Sequence, residues 1–117
     1  MRRSNFSRKE SIAMTIEFSD LAIDSWLQDL DYTLSKFGRK TAAKNEAAME
    51  ERLNFIRKYP EAGHIELVRA KKTYRSFQIR NTPLKIIYSI TERDDKIIIE
   101  DFWNSYQSRE SLVKRIK

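Results

Sequence analysis

A chain of 117 residues is the length of one domain and is long enough to close a core without a disulfide or a metal. It has no cysteine, which excludes disulfide frameworks, thiolate zinc sites and cysteine nucleophiles and fits a reducing compartment, so a cytoplasmic location is expected. Its 23 Lys and Arg against 17 Asp and Glu leave a net charge of +6, which suits an anionic partner and equally suits a solvated basic face.

In chain order, residues 1–13 (MRRSNFSRKESIA) are basic and lack the apolar stretch of a secretory signal. They are read as a flexible arm outside the fold, or as residues preceding a natural start at Met14, and residues 14–117 as the single domain. No apolar run approaches the roughly 20 residues of a membrane span, so no membrane partner is expected. Thr15–Phe18 alternates polar and apolar, the pattern of a strand. Ser19 or Asp20 can cap a following helix, in which Ile23, Trp26, Leu27, Leu30, Leu34 and Phe37 recur at three- and four-residue steps. That stripe is expected to face the core, and Gly38 to end the helix. Thr41 can cap a second helix with Ala42, Ala48, Met49, Leu53, Ile56 and Tyr59 inward, closed by Pro60. The two read as an antiparallel helical hairpin.

The remainder reads as strands: Ile65–Val68, Tyr74–Arg80, Leu84–Thr91 and Lys96–Trp103, with turns at Asn81-Thr82-Pro83 and Glu92–Asp95. Ile97-Ile98-Ile99 is apolar on both faces, which places the last strand centrally. Ser108–Ile116 is read as a short terminal helix with Leu112, Val113 and Ile116 inward. The expected fold is α+β, ordered β-α-α-β-β-β-β-(α), with the hairpin on one face of an antiparallel sheet.

This order, with Trp26 on the first helix, Tyr59-Pro60 closing the second, Tyr74-Arg75-Ser76-Phe77, Ile86-Ile87-Tyr88 and an aliphatic strand running into a basic tail, resembles the RelE/ParE toxin superfamily from Met14 to about Ile116. The resemblance implies the toxin half of a type II toxin–antitoxin (plasmid stabilisation) system, with a cognate antitoxin protein as partner in a hetero-oligomer. It also implies one of two targets: RelE-like members cleave mRNA on the ribosome, and ParE-like members poison DNA gyrase. RelE-like cleavage needs several cations around the scissile phosphate. Aligned on Tyr88 and Ile97–Ile99, the family's two strand lysines fall on Ser76 and Gln78, its strand arginine on Lys85, and its late arginine near Gln107, with Tyr106 and Arg109 beside it. Two cations are absent and a third is a lysine, which lacks the bidentate fork of arginine. The ParE-like reading is therefore expected, with a RelE-like endonuclease (Lys85, Arg109 and Tyr106 as its catalytic group) or a non-toxic degenerate member as alternatives.

Arg75, Arg80 and Gln107 are the candidate binding residues. Arg75 is also open to a structural role, tied to Glu100 or Asp101 on a neighbouring strand. Arg80 and Lys85 flank one turn, where they can meet phosphate or an acidic antitoxin tail, or serve as a solvated turn guarding a sheet edge. Gln107 lies in a polar segment that can contact the target or cap the terminal helix. No cofactor or metal is expected. Glu100 and Asp101 are adjacent in a strand and point to opposite faces, so they do not converge on an ion. His64, a lone loop histidine, is given no catalytic role.

Overall fold

The structure, a computed structural model, describes residues 14–104 together with Leu112, Lys114 and Arg115. β1 (Thr15–Phe18) leads into α1 (Asp20–Phe37), and α2 (Arg39–Lys58) returns beside it. Four strands follow: β2 (His64–Arg69), β3 (Lys72–Gln78), β4 (Leu84–Thr91) and β5 (Lys96–Asn104). They form one five-stranded sheet in the order β1-β5-β4-β3-β2.

The sheet is mixed. β2 through β5 pair antiparallel as a meander, but β1 lies parallel to β5, with Ile16 opposite Ile97 and Phe18 opposite Ile99. The antiparallel expectation fails for this one pair. The helical hairpin carries the chain from β1 to β2 at the far edge of the sheet and the meander then returns to set β5 beside β1, so no tight turn joins that pair and none forces it antiparallel. β5 lies inside the sheet, between β1 and β4, and its Ile97 and Ile99 are fully buried.

Local chemistry explains the ends of the elements. The Ser19 hydroxyl accepts from the Ala22 amide and donates to the Glu100 carbonyl, so one side chain caps α1 and ties it to β5. Gly38, at φ 91°, accepts the turn that an L-residue resists, and its amide donates to the carbonyls of Thr33 and Leu34. α2 then starts at once at Arg39 without a side-chain cap, so Thr41 lies inside the helix rather than at its start. Asn81 and Asp95, at φ 63° and 53°, turn the chain into β4 and β5, as asparagine and aspartate tolerate.

The core lies between the hairpin and the sheet. Ala22, Met49, Leu53 and Ile56 from the helices meet Ile79, Leu84, Ile86, Tyr88, Ile97, Ile99 and Phe102. On the opposite sheet face Tyr74, Ile87 and Trp103 cluster with Leu112, which is helical and buried. Leu112 is thus inward as expected; Val113, Ile116 and the rest of the expected terminal helix apart from Leu112, Lys114 and Arg115 lie outside the described residues.

Most of the expected core stripe of α1 is not core, although Trp26 does pack against the core, with its ring 5.2 Å from that of Phe102. Ile23, Leu27, Leu34 and Phe37 are 45, 50, 41 and 63% exposed, and the helix buries Ala22 and Thr33 instead. Small residues let α1 approach the sheet closely, and this rotates its large apolar residues to the outside.

Candidate functional site

Three surfaces hold the chemistry: the sheet face away from the hairpin, the loop between α2 and β2, and the outer faces of the two helices.

On the open sheet face, alternation along β3 and β4 brings Ser76 and Lys85 close to Glu66 of β2. The Lys85 ammonium lies 3.0 Å from Glu66 Oε2, and the Ser76 hydroxyl donates to the same oxygen at 2.7 Å. The Glu66 side chain is 5% exposed against 30% for Lys85. Burial pushes the Glu66 carboxyl up, but the Ser76 hydrogen bond and the Lys85 charge more than offset it and hold it below the ordinary glutamate range. Gln78 donates from Nε2 to the carbonyls of Thr82 and Leu84, binding the turn to its own strand. A second polar group repeats the pattern: Glu100 Oε2 accepts from the Ser89 hydroxyl at 2.6 Å and pairs with Lys72 at 2.9 Å. Burial alone would lower the Lys72 pKa, but Glu100 raises it. Each of these two strand lysines is therefore matched by a carboxylate.

Asp101 turns elsewhere. The register of β4 and β5 shifts opposite Glu100 and Asp101, so strict alternation breaks there. Glu100 reaches across β4 to Lys72, while Asp101, fully buried, accepts from Ser25 of α1 at 2.7 Å and pairs with Arg115 at 3.0 Å. Burial raises its pKa, and Ser25, Arg115 and the Phe102 amide offset part of that. The two carboxyls do point apart, each toward its own partners. Among the described residues no group of three or more His, Asp or Glu could hold a metal ion.

Arg75 faces the hairpin side and pairs in register with Tyr88. Its guanidinium donates to the backbone carbonyls of Glu61 and Gly63 at 2.8 and 3.1 Å. The carboxylate partners expected for it, Glu100 and Asp101, are not the ones it has, because Arg75 leaves the sheet on the side of the α2–β2 loop. Tyr88 completes that loop: its hydroxyl donates to the Pro60 carbonyl at 2.7 Å and accepts from the Gly63 amide at 3.1 Å. A Cβ on Gly63 would collide with that hydroxyl.

Arg80 and Lys85 flank one turn in sequence but separate in space. Lys85 joins Glu66 on the open face, whereas Arg80 lines an open groove of about 410 Å³ with Arg52, Lys58, Phe55 and Tyr59 of α2 and its end. Arg52 lies over the rings of Phe55 and Phe77. Tyr106, Gln107 and Arg109 lie outside the described residues. Glu66 is the residue that the sequence reading missed: nothing in a six-residue strand shows that a bulge will aim its acid inward.

No helix among the described residues is long and apolar enough to cross a membrane. The sequence matches, over residues 16–108, the family described as the ParE toxin of the type II toxin–antitoxin system parDE. No curated protein matches it. Its fold is similar to a chain of the chromosomal ParDE toxin–antitoxin system from P. aeruginosa, with a TM-score of 0.64 at 12% identity, covering 79% of this chain and 96% of that one. It is also similar to the isolated E. coli RelE toxin, with a TM-score of 0.55 at 15% identity, covering 90% of this chain and all of that one.

Proposed function

This chain belongs to the ParE toxin family of type II toxin–antitoxin systems, and from that membership we propose that it acts as a gyrase-directed toxin, by binding rather than by cleaving RNA itself. The observation that carries the reading is the charge balance of the open sheet face. An RNA-cleaving site needs uncommitted cations where charge builds up on phosphate. Here Lys85 is held by Glu66 and Lys72 by Glu100, while Ser76 and Gln78 carry no charge. Moving Lys85 to a phosphate would take its charged partner from the buried Glu66 carboxyl, which only hydrogen bonding such as that of Ser76 would then hold.

The antitoxin, in this reading, is cytoplasmic with its toxin and covers apolar surface that the folded chain leaves open. The outer face of α1 is one such surface, and the exposed edge strand β2, with Ile65 and Val68 outward, is another.

The test is induced expression of the full chain in bacteria, with and without the antitoxin frame beside it, scoring growth, plasmid supercoiling and mRNA integrity together. The expected result is arrest with altered supercoiling, intact mRNA and rescue by the antitoxin. Lys85→Ala should leave the arrest in place. Arrest with normal supercoiling and cleaved mRNA, lost in a Lys85→Ala, Arg109→Ala double variant, would move the function to RelE-like cleavage. Absence of arrest would leave a degenerate, non-toxic member.

A further inference from the structure

The strongest unexplained surface is the outer face of α1. Ile23, Leu27, Leu30, Leu34 and Phe37 follow one another at intervals of four, three, four and three, the spacing of a seam that packs against another helix. Four of the five are more than two-fifths exposed. Ala22, Trp26 and Thr33 bound this stripe on the side that packs inward. On the other side Asp20, Asp24 and Asp31, all exposed, stand three or four residues from Ile23, Leu27 and Leu34 and so form its rim. α1 carries four aspartates against a single lysine, although the whole chain is at +6.

We infer that this face takes an amphipathic helix with a cationic rim, and that Asp24 and Asp31 determine which partner helix is accepted. The inference rests on the toxin reading above only in assigning that helix to the antitoxin. It reverses what net charge suggests, since an acidic segment suits the chain as a whole but meets like charge here. Opposite charges beside an apolar seam set partner choice more than raw affinity, and like charges reject the wrong partner. A second copy of this chain is a poor occupant. Antiparallel pairing centred on Leu30 would bring Asp31 of both copies together at the middle of the seam.

Two 21-residue probe peptides decide it. They share one isoleucine–leucine heptad seam, and one has lysine and the other glutamate at the flanking positions. Each is labelled and titrated with the full chain by fluorescence anisotropy. The lysine peptide should bind at least tenfold more tightly at low salt, the difference should shrink as salt rises, and Asp24→Lys, Asp31→Lys should reverse the preference. Both positions are exposed, so the variant should keep its melting temperature, which circular dichroism checks. Equal binding of the two peptides, no binding of either, or no reversal in the variant would overturn the inference. So would self-association of the full chain in sedimentation that Leu27→Asp abolishes. None of these readouts involves growth or supercoiling, so the loss of either proposal leaves the other standing.

Discussion

At the scale of single residues, the polar side chains that matter are spent on structure. Tyr88 is fully buried, and its hydroxyl donates to the Pro60 carbonyl and accepts from the Gly63 amide. Tyr88→Phe should cost about 1–3 kcal/mol, because it leaves two backbone groups without their partner. Urea unfolding measures that loss, and faster amide exchange at Gly63 should accompany it. Glu66 offers a pH test. Its carboxyl is held below the ordinary glutamate value, so the folded state binds the proton less well than the unfolded chain. The resulting stability is complete above the ordinary value and is lost as pH falls through the lower, folded one. Glu66→Gln should remove that part of the acid dependence, seen as a shallower slope of unfolding free energy against pH in the acid range. An unchanged slope would mean that the ion pair with Lys85 is not formed in solution. Neither role was legible in the sequence: Tyr88 closes the Ile86-Ile87-Tyr88 pattern of the resemblance and Glu66 lies within the strand Ile65–Val68, and neither segment shows the distant partner that its side chain meets.

Elements, by contrast, were largely legible. Leu84–Thr91 is an apolar-rich run between turn residues, and β4 has those limits. Ser19 and Gly38 bracket α1 for reasons of cap and backbone geometry that need no tertiary partner. The β2–β3 turn was less legible. Ala70 and Lys71 hold φ at 53° and 67°, values that favour glycine or asparagine, so nothing in the residue types announced a two-residue turn. Lys71→Gly should therefore stabilise the protein, by up to about 1 kcal/mol, since it removes the left-handed penalty. A thermal melt that falls instead would show that the lysine side chain contributes more than its backbone costs. The face of α1 was legible only in part, since Trp26 packs inward while Ile23, Leu27, Leu34 and Phe37 do not. Periodicity shows that a helix has an apolar face, not whether that face meets the molecule's own core or a partner's.

The whole molecule is a sheet with two unlike faces. One is sealed by the hairpin, and the other carries paired charges beside a small apolar cluster. Arg115 and Asp101 join distant parts of it, because Asp101 on β5 receives both Ser25 of α1 and Arg115, whose guanidinium also lies over Trp103. Arg115→Ala should cost about 1–3 kcal/mol, since it leaves a fully buried carboxyl with fewer partners. Its pH dependence has the sign opposite to that of Glu66. The Asp101 pKa is raised, so the folded chain holds the proton more firmly, and stability declines as pH rises from the ordinary aspartate range through the folded value. The variant should deepen that decline, and denaturant titrations across the weakly acid range measure it.

The sequence by itself determined the class, the order of the elements and the family, because capping, alternation and turn chemistry act within a few residues and because the family pattern lies along the chain. Only the tertiary structure decided that β1 runs parallel to β5, that Arg80 and Lys85 part company across their turn, that Arg75 serves a loop, and that α1 turns most of its apolar stripe outward. Each of these depends on which side of the sheet a side chain leaves, and on how closely a helix with small inward residues can approach. Those are properties of packing between segments distant in sequence, where a bulge of one residue or a rotation of part of a turn changes the partner.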